Sequence, residues 1–228
     1  MLRRSMLIFL AVLLWAAGSF AAEWEHVYEC NNLPDAPALG DGGWNVFGTS
    51  AICKVTNAGE LHITDPADKV GFFMRDINVD AATVEARVRV LSQSGVSYSL
   101  LLGIEDGTTD AWLDLFPDHI GIDNGGPLQN ITMTEYHILR VTKDSKNNII
   151  VYVDDKKVLE GTTGGNSGRA DIIFGAGSTG GTSESYWDYV AYTTASAFSP
   201  EKLPNYISTL SVDVVGKLPV RWGELKAR

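Results

Sequence analysis

Residues 82–91, ATVEARVRVL, alternate without a break: Val84, Ala86, Val88 and Val90 fall on one parity, Glu85, Arg87 and Arg89 on the other. Successive side chains of an extended strand point to opposite faces, so this stretch can bury one face of a sheet, whereas a helix would scatter its valines around the axis. Other segments read as strands too. Residues 96–104, VSYSLLLGI, form a nearly continuous apolar run, and residues 111–123, AWLDLFPDHIGID, hold two short strands broken at Pro117-Asp118. Residues 135–161 predict a hairpin turning at Asp144–Asn148, with a second turn at Asp154-Asp155, and residues 170–177 and 185–194 predict further strands. Turn signals recur about every ten residues and no useful window has helical periodicity, which predicts an all-β sandwich.

One stretch within this pattern suggests different chemistry. In ADIIFGAGSTGG, residues 170–181, an apolar run leads into Gly175-x-Gly177-x-x-Gly180. A dinucleotide site needs a helix after its glycines, because the helix N-terminus holds the pyrophosphate. Here Thr182-Ser183-Glu184-Ser185 and then β-branched and aromatic residues follow, so the glycines predict a loop between strands.

The N-terminal residues 1–22 combine Arg3-Arg4, an apolar run from Met6 to Ala17 and a small-residue end at Ala21-Ala22, the composition of a secretory signal peptide. The run is shorter than the roughly 20 residues of a spanning helix. A secreted protein, periplasmic or extracellular and without a membrane span in its mature form, is therefore expected. Of 228 residues 45% are hydrophobic and 20% charged, enough for a proper core. The formal net charge is −10, with the acids concentrated before residue 196 and a slightly basic end after it. Such a body repels phosphate backbones and anionic headgroups, which argues against nucleic acid and membrane surfaces as partners. Neutral sugars and cations such as calcium remain compatible with it. In an oxidising compartment the pair Cys30 and Cys53 is expected to form a disulfide, stabilising by roughly 3 kcal/mol on the chain-entropy model. The domain is expected over residues 23–194; residues 195–228 predict a Pro-containing linker and a C-terminal tail with Trp222 near its basic end.

Two stretches carry a family resemblance. Tyr136-His137, Val141-Thr142 and Val151-Tyr152-Val153-Asp154 resemble the aromatic-His strand and VYVDG-type strand of laminin-G-like, concanavalin-A-like lectin and glucanase jelly rolls. Asp188, Val190 and Tyr192 match the closing strand of that superfamily. Asp155 or Lys156 stands where those proteins usually have glycine, so the tight turn must be built differently. The resemblance covers residues 24–194 and implies a two-sheet antiparallel jelly-roll β-sandwich with one concave sheet often carrying the ligand site. Lectins, adhesion modules and glycanases all use this fold, so it implies no single function.

The glycanases of the superfamily place carboxylates as E-x-D-x-E or E-x-D-x-x-E along one strand, and no Glu here has an Asp two residues later. That favours a non-catalytic module binding carbohydrate or an extracellular glycoconjugate. Arg87, Arg89, Glu85, Asp114, Trp187 and Tyr189 are its candidate contacts. If Val190 faces the core, alternation turns Trp187 and Tyr189 outward as an aromatic platform; the other reading places Trp187 in the core. An enzyme remains the alternative, of the 3-keto-disaccharide hydrolase type, in which Glu85, Arg87 and Arg89 face the concave side beside Asp114. A third reading is a structural or adhesion protein that meets a cell-surface partner through its tail from Ala195 onward; the alternative for that tail is that it packs on its own sandwich. Asp188, placed by the same alternation on the core side, would need an ion-pair partner, hydrogen bonds or a bound cation, and a structural calcium there or in the loop of Glu105, Asp106 and Asp110 is the cofactor to test.

Overall fold

The structure, a computed structural model, describes residues 22–36, 43–95, 99–123, 125–162, 165–177 and 180–209. The expected leader up to residue 21 and the tail beyond residue 209, with Trp222, lie outside the described residues.

Among the described residues fifteen strands follow one another. They are β1 (His26–Tyr28), β2 (Asn45–Gly48), β3 (Cys53–Val55), β4 (Leu61–Asp65), β5 (Gly71–Asp76), β6 (Ala82–Ser94), β7 (Leu100–Glu105) and β8 (Asp110–Leu115). Then come β9 (His119–Ile122), β10 (Leu128–Asn130), β11 (His137–Lys143), β12 (Asn148–Val153), β13 (Lys156–Thr162), β14 (Asp171–Ala176) and β15 (Thr182–Thr193). A single turn of helix, α1 (Tyr206–Thr209), closes the described chain. One sheet, A, runs β13-β12-β11-β6-β15-β4-β3 with β1 also paired to β15; the other, B, runs β10-β9-β8-β7-β14-β5-β2. Every named pairing is antiparallel. The expected all-β sandwich is what forms.

The core lies between the sheets. Val84, Ala86, Val88 and Val90 of β6 meet Leu100, Leu102 and Ile104 of β7 and Phe174 of β14 in one buried cluster. Strand β7 carries a continuous apolar run because its other face is also covered: Leu101 packs with Phe72, Ile173, Met74 and Trp112 on the outside of sheet B. The glycines of the 175–181 loop serve close packing. A Cβ on Gly175, at φ +117°, would sit 2.6 Å from the Gly71 carbonyl oxygen, and one on Gly177 would fall inside the Phe72 ring. The Asp154-Asp155 turn is built by two successive left-handed residues, at φ 48° and 67°. This is the two-residue hairpin geometry that glycine usually serves. Asp154 tolerates it because its Oδ1 accepts from the Ile138 amide and its Oδ2 lies 2.7 Å from His137 Nδ1.

Strand β15 departs from simple alternation. Trp187 pairs with Val88 and Tyr189 with Arg87, so Asp188 is one residue too many, a β-bulge. The bulge turns both Asp188 and Tyr189 to the outside while Trp187 and Val190 both enter the core. Two expectations are thereby corrected. Trp187 is 0% exposed, packed on Phe174 with its Nε1 donating to Ser185 Oγ, so it offers no platform. Asp188 is not on the core side.

Residues 195–206, expected as a linker, lie against the outside of sheet A. Thr83 Oγ1 donates to the Ser196 carbonyl and accepts from the Phe198 amide, Arg140 Nη1 donates to the Leu203 carbonyl, and Leu203 is fully buried. The expected disulfide is absent. Cys30 and Cys53 are free thiols, both pushed up by burial, Cys53 to about 12. Cys30 is fully buried beside the Tyr28 hydroxyl and the Leu61 backbone.

Candidate functional site: the outer face of sheet A

Alternation along β6 sends Thr83, Glu85, Arg87 and Arg89 to the outside of sheet A, and the C-terminal segment divides that row in two. Under the segment, Glu85 and Arg140 are both sealed. Glu85 Oε2 accepts from Arg140 Nε at 2.9 Å and Nη2 at 2.5 Å, while its Oε1 accepts from the Tyr189 hydroxyl at 2.7 Å and the Tyr206 amide at 2.8 Å. Burial raises the Glu85 pKa, against the lowering pull of Arg140. Such a cluster holds the segment down because every donor and acceptor in it would be costly to leave bare.

Beyond the segment the face is open. Tyr186 of β15 stands directly opposite both Arg89 of β6 and His62 of β4. The His62 and Tyr186 rings stack at 4.2 Å, and the Arg89 guanidinium lies 4.3 Å from the Tyr186 centroid. Tyr136, just before β11, receives Arg89 at 5.0 Å and Arg87 at 4.3 Å. The result is a ladder across three strands and the entry to a fourth: His62, Tyr186, Arg89, Tyr136, Arg87. Its margins are acidic. Glu184 Oε1 lies 2.9 Å from His62 Nε2, the Tyr136 hydroxyl donates to Glu60 Oε1 at 2.6 Å, and Arg87 Nη1 donates to Asp188 Oδ2 at 2.7 Å. Burial, reinforced by Glu60, pushes the Tyr136 phenol up, so it stays a neutral donor.

Of the residues singled out from the sequence, Arg87 and Arg89 meet on this open face. Glu85 and Tyr189 share the face but lie beneath the C-terminal segment. Trp187 is in the core. Asp114 lies on the other side of the molecule, outside sheet B, because Ala111, Leu113 and Leu115 take the inward positions of β8. It cannot stand beside Arg87, as the hydrolase arrangement required. Buried to 4% exposure next to Asp123, its carboxyl is pushed up to about 8 by desolvation and then by that neighbour. The calcium expectations are also redirected. Asp188 has a guanidinium as its counter-ion, Glu105 pairs with Arg169, Asp106 with Lys143, and Asp110 accepts from Ser167. Among the described residues no group of three or more His, Cys, Asp or Glu is assembled to hold a metal.

Sequence reasoning missed Tyr136, Tyr186 and His62. Tyr186 was hidden by the bulge: plain alternation from an inward Val190 puts it on the core side with Asp188, and only the extra residue turns it outward. His62 hides between Leu61 and Ile63, and Tyr136 reaches the face only because the chain enters β11 over β6.

No protein-family model and no curated protein sequence matches the chain. Solved structures do match. A native glycosidic hydrolase superposes with a TM-score of 0.53 at 13% identity, covering 75% of this chain and 96% of the other. A Bacillus licheniformis beta-glucanase gives 0.52 at 13% identity, covering 75% and 99%. The chain has the concanavalin-A-like jelly-roll fold. An alginate lyase of polysaccharide lyase family 7 is also similar, with a TM-score of 0.49 at 10% identity over 64% of this chain and 84% of its own. At such identities the likeness extends to the fold, and the site must be argued from its own side chains.

Proposed function

We propose that the protein is an exported glycan-binding module whose site is the open half of the outer face of sheet A. The observation that carries this is the ladder of Arg87, Tyr136, Arg89, Tyr186 and His62. A guanidinium stacked on a ring keeps its plane fixed and its N–H edge available, which suits recognition of paired oxygens such as vicinal hydroxyls. With His62 and Arg89 both stacked on Tyr186, that ring is engaged with protein partners, so hydrogen bonding rather than ring stacking on the sugar is the principal mode. Each neutral hydrogen bond contributes about 1 kcal/mol net, so single-site affinity is modest.

Binding without bond cleavage is the version the arrangement supports. The carboxyl with the raised pKa on this face, Glu85, is covered by Leu203 and Tyr206 and held by Arg140 and Tyr189. Glu60, Glu184 and Asp188 are engaged along the ladder margin. Export rests on residues 1–22, and a surface partner for the tail rests on the basic end after residue 209.

The test is a glycan array probed with residues 23–228 and with Arg87→Ala, Tyr186→Ala and Trp187→Ala. Arg87→Ala and Tyr186→Ala should lose at least tenfold in signal while melting within a few degrees of the parent. Trp187→Ala should lose signal only through unfolding, since truncating a buried Trp costs about 3–5 kcal/mol. Hits that persist in folded Arg87→Ala and Tyr186→Ala would place the site elsewhere.

A further inference from the structure

Arg89 differs from the other arginines among the described residues. Arg87 donates to Asp188, Arg140 to Glu85 and the Leu203 carbonyl, Arg169 to Glu105, and Arg75 is hydrogen bonded to Tyr192. Arg89 makes no hydrogen bond or ion pair with any described residue, and its Nε is buried without an acceptor. This isolation stands out in a chain with 28 Asp and Glu against 18 Lys and Arg. Carboxylates are close by, but Glu184 meets His62 and Glu60 meets Tyr136. What surrounds Arg89 instead is the Tyr136 and Tyr186 rings, at 5.0 and 4.3 Å. Rings attract a cation and strip its water, but they accept none of its N–H groups along the edge.

We infer that Arg89 is the seat of an anionic group on the ligand, a carboxylate or sulfate carried by a glycan. This rests on the glycan-binding proposal for the same face and names its ligand class. The guanidinium presents a planar fork of donors that matches the paired oxygens of a carboxylate or a sulfate ester. Cross-strand pairing of Arg89 with Tyr186 holds that fork in one orientation before the ligand arrives. A hydroxyl would satisfy one donor and leave the charge uncompensated, whereas an anion satisfies both. Arg87 extends the seat: two residues along the same strand face, it has Nη1 committed to Asp188. Salt screens the more distant acids beyond ~8 Å, and of the carboxylates along the margin Asp188 is paired with Arg87, Glu60 accepts from Tyr136 and Glu184 lies against His62.

The test compares matched ligands by titration calorimetry: oligogalacturonate against its methyl ester, and a sulfated cello-oligosaccharide against the unsulfated one. One anionic member is expected to bind at least tenfold tighter than its neutral partner, the scale of a charge-assisted hydrogen bond. Which series shows the preference identifies a carboxylate or a sulfate as the group. Arg89→Gln should weaken the anionic ligand at least tenfold more than it weakens the neutral one, closing the gap between the two. Arg89→Lys, which keeps the charge but loses the fork, should keep only part of the preference. The comparison in the parent protein needs no variant, so misfolding cannot obscure it. Equal affinity for the anionic and neutral members of both series overturns the assignment of Arg89 and leaves the glycan site standing. Absence of binding to all four ligands, with glycan-array hits also absent, overturns both.

Discussion

Asp114 is almost fully buried outside sheet B, beside Asp123, with its Oδ1 lacking a hydrogen-bond partner. Desolvation pushes its pKa up to about 8, whereas the unfolded chain ionises near ~4. The folded state therefore holds a proton that the unfolded state releases, so this group's contribution to stability is present below pH ~4 and is lost as pH rises to about 8. Asp171, raised to about 6 by burial and by Asp76, acts in the same direction. Asp114→Asn removes the ionisation from this site. Thermal melts should show a shallower fall between pH 5 and 9 for the variant, with a gain on the order of 2 kcal/mol at pH 9. Parallel pH profiles for variant and parent would contradict the buried-acid account. That Asp114 would be aligned with Trp112 on one face was legible from the spacing of β8; that this face is the outside of sheet B was not. The face depends on which parity packs against the other sheet, and Leu113 and Leu115 decide that only once the sheets are assembled.

At the scale of the element, β6 and β15 show the reach and the limit of period-two reasoning. In β6 no residue is inserted between Ala82 and Val90, so inward valines and outward charges follow directly from the sequence. In β15 the bulge at Asp188 inserts one residue, and everything before it changes face relative to everything after it. No residue type at Asp188 announces this; the bulge is visible only in the register against Arg87 and Val88. The C-terminal segment was hidden for another reason. SPEKLPNY has two prolines and no periodicity, as a linker does, yet Leu203 is an anchor and backbone groups at 203 and 206 complete the Glu85–Arg140 cluster. Leu203→Ala should therefore cost about 2–3 kcal/mol in thermal or urea denaturation, the loss associated with a buried leucine. Amide exchange at Tyr206 should accelerate alongside. A cost under ~0.5 kcal/mol would mean the segment contributes nothing to the fold.

For the molecule as a whole, the two outer faces divide the chemistry. Outside sheet B, the acids are neutralised by burial or by pairing, as in Asp114 beside Asp123 and Glu105 with Arg169, over an apolar patch of Phe72, Leu101 and Ile173. Outside sheet A, the C-terminal segment seals one half and the Arg–Tyr ladder remains open on the other. Glycan binding is proposed for this open half. The measurement that tests it most directly is an NMR titration of residues 23–228 with the tightest oligosaccharide from the array, following backbone amides and arginine Nε–Hε signals. Shifts should centre on Arg87, Arg89, Tyr136, Tyr186 and His62, with Trp112 and Asp114 unmoved. Shifts confined to sheet B, or to the covered cluster around Glu85, would contradict it.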